Sequence, residues 1–407
     1  MKLRNYFLLS IVVGAAFACS SNEDIPEEHV FTPNATLSLT AGLYGDNHTK
    51  AAGAIITEEE AAENAIHTLD VLVFSGTGAT AKYQTEDRST SSNIVSDIPV
   101  EAGPATIVVL ANSGLTTGKF KNNTLADLLA YTKALDGETL TGGGLSMSSA
   151  IIETDLLINS HNIFGKTEDF TGHDPAVLKG GVIDLYRHVA QVNLKSVEIA
   201  DDNAGAEFTL EKVFVANVKG YSRIASTDAS VEATAAPEGG NLWGYGDYFE
   251  KSWNGKYKIT EDGVKKDFLA WTPGETTVIT KNNKLATADN YRAVASFYVY
   301  ENMTDAATLG QRTLLVLKGE YKDKSGRNDG TRFYTISVND PEMGFTPTEG
   351  GETASHKYVK RNYRYNIFLT IKSSGSDRPY DPASEACMDV AVTVADWDVV
   401  DQDEKLD

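Results

Sequence analysis

Alternation of apolar and polar residues dominates this chain. Short runs rich in Val, Ile, Thr, Tyr and Phe follow a period of two. Clusters of Gly, Asn, Asp and Pro separate them, which is typical of β-strands joined by turns. Eleven runs are predicted as strands: residues 36–43, 68–74, 94–100, 106–111, 189–199, 208–218, 294–300, 313–321, 332–338, 363–372 and 388–395. We therefore expect a mainly β protein.

Helical periodicity is confined to two short segments. Thr124 can cap a helix with Asp127 as its capping-box partner. The apolar stripe of that helix would consist of Leu125, Leu128, Leu129 and Leu135. A second short helix is predicted over residues 58–66. Strands with minor helical insertions favour β-sandwich domains.

The length of the chain and one change in its pattern indicate two such domains. The chain has 407 residues, and a typical domain has about 150. A stretch rich in Gly, Asp and Pro at residues 171–181 precedes a new set of long strands. We place an N-terminal sandwich at residues 51–185 and a C-terminal sandwich at residues 186–407.

Residues 1–18 have the features of a lipoprotein signal peptide. Lys2 and Arg4 precede an apolar run at residues 6–17, which is too short to be a permanent membrane anchor. Small residues directly before Cys19 are similar to a lipobox, so Cys19 is predicted to be acylated and to begin the mature protein. The alternative is ordinary signal cleavage nearby, with Cys19 incidental.

Charge and motif content exclude several functions. The net charge of −21 argues against nucleic acid, since Lys and Arg dominate phosphate binding. No histidines are paired at metal-ligand spacing. The calcium-like loop that starts at Asp323 lacks the necessary carboxylates. No phosphate loop or nucleophile elbow occurs. We predict no metal, no cofactor and no catalytic site. One aromatic cluster could stack on a sugar or pack internally: Trp243, Tyr245, Tyr248, Phe249 and Trp253.

Several segments, in chain order, resemble the fimbrillins, the major subunits of type V fimbriae from Bacteroidales. They are residues 108–114, 124–128, 186–192, 357–371 and 388–402. The last contains Val-Ala-Asp-Trp at residues 394–397, which is similar to a family element. Gln191 departs from the family pattern, which has Arg there. The resemblance implies two transthyretin-like, Greek-key β-sandwich domains and a structural role without enzymatic activity.

The resemblance also implies an assembly route in which a protease removes the N-terminal segment and another copy supplies a replacement strand. Residues 19–50 would be the propeptide, cut between Lys50 and Ala51. An alternating, half-buried strand in it has four apolar side chains: Leu37, Leu39, Ala41 and Leu43. Its loss would open an apolar groove with unpaired backbone groups. The donor strand would use Val392, Val394, Trp397, Val399 and Val400.

On this interpretation the protein is exported as a lipoprotein and held at the outer membrane by the lipid on Cys19 until processing. It then joins a cell-surface fimbria that contributes to adhesion. Its partners would be other copies of itself, accessory fimbrial subunits and the processing protease. Two alternatives stay open. Residues 33–43 could form a permanent first strand, and the protein could be an anchor subunit, a tip adhesin or a surface glycan-binding lipoprotein.

Overall fold

The computed structural model describes most of the chain between residues 31 and 397. The described residues are 31–44, 58–140, 142–165, 170, 175–225, 242–245, 264–287, 292–303, 311–340, 348–349, 352–353 and 356–397. Strands predominate among them, and the predicted fold class, mainly β with minor helices, is confirmed.

Eleven strands are described before residue 188. They are β1 (Ala35–Leu43), β2 (Leu69–Ser75), β3 (Lys82–Ser89), β4 (Ile94–Val100), β5 (Gly103–Ala111), β6 (Thr132–Ala134), β7 (Met147–Ser148), β8 (Ile152–Leu156), β9 (His161–Gly165), β10 (Pro175–Gly180) and β11 (Ile183–Arg187). All except β6 belong to one sheet, in the order β10-β9-β1-β11-β7-β5-β2-β3, with β4 beside β1 and β8 beside β5.

Two parts of this sheet face each other across a core. Apolar side chains of β1 and β4 meet those of β2 and β5 in one buried cluster. The outer face of β2 and β5 is buried too, because the helix that follows Thr124 packs on it with Leu125 and Leu128. Burial on both faces explains why β2 and β5 are almost continuously apolar.

Two short helices accompany the strands, α1 (Glu58–Glu63) and α2 (Leu125–Ala130). The carboxylate of Asp127 accepts hydrogen bonds from the backbone N–H and the hydroxyl of Thr124, and these bonds lower the pKa of Asp127. The helix is shorter than predicted. Because β6 begins two residues after α2 and pairs with a strand from the second half of the chain, Leu135 lies in a separate 3₁₀ turn.

Fifteen further strands are described after residue 188. They are β12 (Val189–Ile199), β13 (Glu207–Ala216), β14 (Tyr221–Arg223), β15 (Trp243–Gly244), β16 (Val264–Lys265), β17 (Ala270–Trp271), β18 (Thr277–Ile279), β19 (Leu285–Ala286), β20 (Ala295–Tyr300), β21 (Leu314–Lys322), β22 (Asn328–Ser337), β23 (Thr348–Glu349), β24 (Glu352–Thr353), β25 (Tyr363–Ile371) and β26 (Met388–Asp396). Other 3₁₀ turns cover Asp201–Asn203, Asp267–Leu269 and Pro382–Cys387.

These strands form a second sandwich. One sheet has the order β19-β12-β25-β26-β23-β24, with β20 beside β12, and the other has the order β17-β13-β21-β22, with β18 beside β13. Their inner faces share one large apolar core. Among the described residues, no helix is long and apolar enough to cross a membrane.

Candidate functional site

Strand β1 lies in the interior of its sheet. Its residues pair antiparallel with β4 on one side. On the other side they pair in parallel with β9 and then with β11. We call the space that β1 fills between these neighbours the first-strand slot. The predicted apolar row is buried in the core, with exposed fractions of 0 to 6% for Leu37, Leu39, Ala41 and Leu43.

On the polar face of β1, Thr36 is partly buried but Ser38 and Thr40 are buried, so the expectation of a half-buried strand is wrong for the middle of β1. Ser38 is fully buried and its hydroxyl lies 2.6 Å from Nε2 of His161 on β9. The backbone N–H of Asp97 donates to the same hydroxyl over 2.9 Å. Asp97 has a positive φ of 58° and lies where the register between β1 and β4 shifts, so β1 satisfies a backbone group that the bulge would otherwise leave unpaired.

The far end of the slot adjoins the second half of the chain. Leu43 is in register with Leu185, and the rings of Tyr44 and Tyr186 lie 4.6 Å apart. Strand β11 then passes into β12 through His188, which is buried. Burial, followed by the nearby cations Arg361 and Lys133, holds the pKa of His188 well below its ordinary value.

The proposed donor residues divide into two groups. Val392 and Val394 lie on β26, which pairs antiparallel with β25 along its whole length, and they point into the chain's own core together with Trp397. Their exposed fractions are 1 to 2%. This placement argues against a donor role for these three side chains, because they are already used internally. Val399 and Val400 lie outside the described residues.

Glu63, the last residue of α1, has its carboxylate at the centre of a buried hydrogen-bond network. Its Oε1 accepts hydrogen bonds from Nε2 of Gln191 over 2.8 Å and from the hydroxyl of Tyr298 over 2.7 Å. Its Oε2 accepts from Nη2 of Arg364 over 2.7 Å and from Nε1 of Trp397 over 3.1 Å. The network therefore joins the segment before β2 to the end of the last strand.

The ring of Trp397 is enclosed by the same group of residues. The ring of Tyr298 stacks on it at 5.9 Å with an interplanar angle of 10°. The guanidinium carbons of Arg187 and Arg364 lie 5.0 and 5.4 Å from the ring centroid. The backbone N–H of Trp397 also donates to the carbonyl of Asn362 over 3.0 Å. Trp397 thus fixes the point from which residues 398–407 continue.

Other predicted residues fall outside this region or outside the described part of the chain. Cys19, Lys50 and Ala51 are not described, so lipidation and cleavage there stay predictions. Trp243 is buried in the second core and Tyr245 lies against Phe214, which accords with internal packing. The rest of that aromatic cluster, residues 248–253, lies outside the described residues.

Sequence reasoning did not identify Glu63, Arg187 or His161. Glu63 ends an acidic run whose composition is typical of a solvent-exposed helix, and nothing local distinguishes it. Arg187 does belong to a segment with family resemblance, residues 186–192, and its complete burial next to Trp397 gives that resemblance a physical reason.

Comparison with known proteins defines the class. A family model described as major fimbrial subunit protein FimA matches residues 35–187. A second model, described as the C-terminal domain of the Fim1C-like fimbrium tip subunit, matches residues 265–397. Both descriptions are of fimbrial subunits. The first match covers the strands of the first sandwich, and the second covers the part of the second sandwich that follows residue 264.

Individual relatives agree with these models. The major fimbrium subunit FimA type-2 of Porphyromonas gingivalis is 27% identical over 428 aligned residues, which cover 99% of each chain. The crystal structure of a candidate cell adhesion protein from Parabacteroides distasonis is 27% identical with a TM-score of 0.66, covering 90% of this chain and 99% of that one. A fimbrilin of Porphyromonas gingivalis at 21% identity has the same fold, with a TM-score of 0.63 and coverage of 92% and 100%. This chain is therefore similar to the FimA-type fimbrillins over nearly its whole length.

Proposed function

We propose that this chain is a structural subunit of a cell-surface fimbria and that it polymerises by strand exchange after proteolysis. The observation that carries the proposal is the position of β1. It precedes the other described strands in sequence, yet it is an interior strand with both edges paired and with both faces buried from Leu37 to Ala41. Similarity to fimbrial subunits supports the fimbrial role and a structural rather than enzymatic protein.

In the proposed route the chain is exported as a lipoprotein and held at the outer membrane by the lipid on Cys19. A protease then cuts between Lys50 and Ala51, in the segment that follows β1. Cleavage there frees β1 from the chain, and departure of β1 leaves the first-strand slot empty.

An empty slot would be strongly unfavourable, and this supports replacement by another strand. Four buried apolar side chains stabilise a fold by about 1 to 3 kcal/mol each relative to exposure. The backbone groups of β4, β9 and β11 would also lose their partners, and unpaired sheet edges readily accept an extended segment of another chain. A subunit without β1 is therefore prone to bind a replacement.

The replacement that we propose is the segment after Trp397 of a second copy. Residues 398–407 include Val399 and Val400, whereas Val392, Val394 and Trp397 contribute to the chain's own core. A contact in which the tail of one copy fills the slot of the next does not close on itself, and repetition produces a filament.

The first prediction concerns cleavage. In cells that produce Lys50→Ala, we expect unprocessed subunits that retain Cys19 and few or no filaments, measured by N-terminal sequencing and electron microscopy. The matched control is Lys82→Ala, which removes an exposed lysine from β3 and should leave processing unchanged. Normal processing of Lys50→Ala would contradict cleavage at that bond.

A second candidate role is that of a tip or other terminal subunit in the same fimbria, and the match of residues 265–397 to a tip-subunit domain favours it. Antibody labelling along isolated filaments separates the two roles. A stalk subunit labels the whole length, and a terminal subunit labels only the end.

A further inference from the structure

The two ends of the first-strand slot are not equivalent. At the end marked by Leu43, the neighbouring strand β11 runs directly into β12 and the second sandwich. At the end marked by Ala35, the neighbouring backbone is a surface turn at residues 157–160, between β8 and β9. The backbone N–H of Asn159 donates to the carbonyl of Asn34 over 2.9 Å, so this turn lies directly beside the start of β1.

This turn exposes two large apolar side chains. Leu157 and Ile158 have exposed fractions of 47% and 61%. The side chain of Asn162 accepts a hydrogen bond from the N–H of Leu157 over 2.8 Å and donates one to the carbonyl of Leu157 over 3.2 Å. These bonds to the backbone hold the turn without using the side chains of Leu157 and Ile158. Small polar residues and Gly usually occupy such turns. The apolar side chains therefore need an explanation other than the local fold.

The anchoring of Trp397 restricts where the second copy can lie. Trp397 is buried in the core of its own subunit, and its backbone N–H donates to the carbonyl of Asn362 over 3.0 Å. The proposed donor residues Val399 and Val400 follow Trp397 by two and three positions, which is roughly 10 Å of extended strand at about 3.3 Å per residue. A copy whose Val399 and Val400 fill the slot must therefore lie directly at the end through which its tail enters.

Resting on the proposed function, we propose that a second copy of this chain docks on Leu157 and Ile158. We call these two side chains, with the adjoining groove at Pro99, Ser160 and His161, the open-end surface. The Leu43 end is flanked by the chain's own second sandwich, so the tail enters at the Ala35 end. It then runs in the direction of β1, antiparallel to β4 and parallel to β9 and β11.

The docking surface is tested with the double variant Leu157→Asp/Ile158→Asp. Both side chains are exposed, so the melting temperature should not change. Burying one such side chain is worth about 1.5 kcal/mol or more, so we expect at least about a tenfold loss of filament mass sheared from cells. The control Phe368→Asp changes another exposed apolar residue, on β25 with an exposed fraction of 38%, and should assemble normally. Normal assembly of the double variant would overturn the docking surface.

The direction of the tail is tested by disulfide trapping in a Cys387→Ser background. Ile158→Cys combined with Asp398→Cys should give a ladder of covalent oligomers under oxidation. Asp184→Cys combined with Asp398→Cys places the first thiol near the Leu43 end and should give none. The reverse pattern overturns this inference and leaves strand exchange intact. A processed parent protein that forms no filaments overturns the proposed function and this inference together.

Discussion

At the scale of single residues, Glu63 has the most demanding position in the described structure. Glu63 has an exposed fraction of 1%, and its carboxylate accepts hydrogen bonds from four different side chains. A buried charge is tolerated only when it is paired and hydrogen-bonded. Because the donors include Trp397, this single side chain couples the stability of the fold to the start of the C-terminal tail.

We predict that Glu63→Gln lowers the free energy of unfolding by about 2 to 3 kcal/mol, because Arg364 loses its counter-charge and an amide cannot accept four hydrogen bonds. Urea denaturation measures the loss. Asp389→Asn is the matched control, since its pair with Lys372 is exposed and such pairs contribute less than about 1 kcal/mol. If the two variants had equal free energies of unfolding, the stabilising role of the buried Glu63 carboxylate would be contradicted.

At the scale of elements, the pattern of the sequence identified the strands that have a clear apolar row. Each of the eleven predicted runs corresponds to a strand within a few residues. Strand β3 was missed because its residues, Lys82–Ser89, are mostly polar, and it is held by pairing with β2 rather than by an apolar face. Strand β9 was missed because it is short and contains His161 and Asn162, whose side chains bond to β1.

The same reasoning explains why the candidate site was only partly predicted. The alternation in β1 revealed its apolar row, but the burial of Ser38 depends on His161, which is 123 residues away. The strand character of residues 388–395 was evident, but their use within the chain's own sheet follows from pairing with β25. Long-range pairing of polar groups leaves no periodic signal in the sequence.

We predict that β1 stays bound when the folded protein is cut between residues 45 and 50, because two paired edges and two buried faces make its dissociation slow. Mass spectrometry after size-exclusion chromatography should recover both fragments together. Adding Leu39→Asp to β1 places a charge in the core and should release the strand on cutting. Immediate loss of the wild-type strand would show that cleavage alone empties the slot.

At the scale of the whole molecule, the proposed route divides two tasks along the chain. The second sandwich uses β26 and Trp397 in its own sheet and core, so the donor that we propose is the segment after Trp397. The first sandwich contains β1, the strand that the proposed cleavage would release. A subunit organised in this way can stay folded while one end donates and the other end accepts.

The boundary between these tasks can be located to one residue. We predict that a chain ending at Trp397 keeps the melting temperature of the full-length protein, because it retains the buried Trp397 side chain. The same chain should form no filaments, because it lacks the proposed donor residues after Trp397. A chain ending at Asp396 should lose filaments and also melt at a lower temperature, since removing a buried Trp costs about 3 to 5 kcal/mol. Calorimetry and electron microscopy measure the two effects separately. If the chain that ends at Trp397 still assembled, the donor would have to lie within β26, and that strand would have to leave its own sheet before assembly.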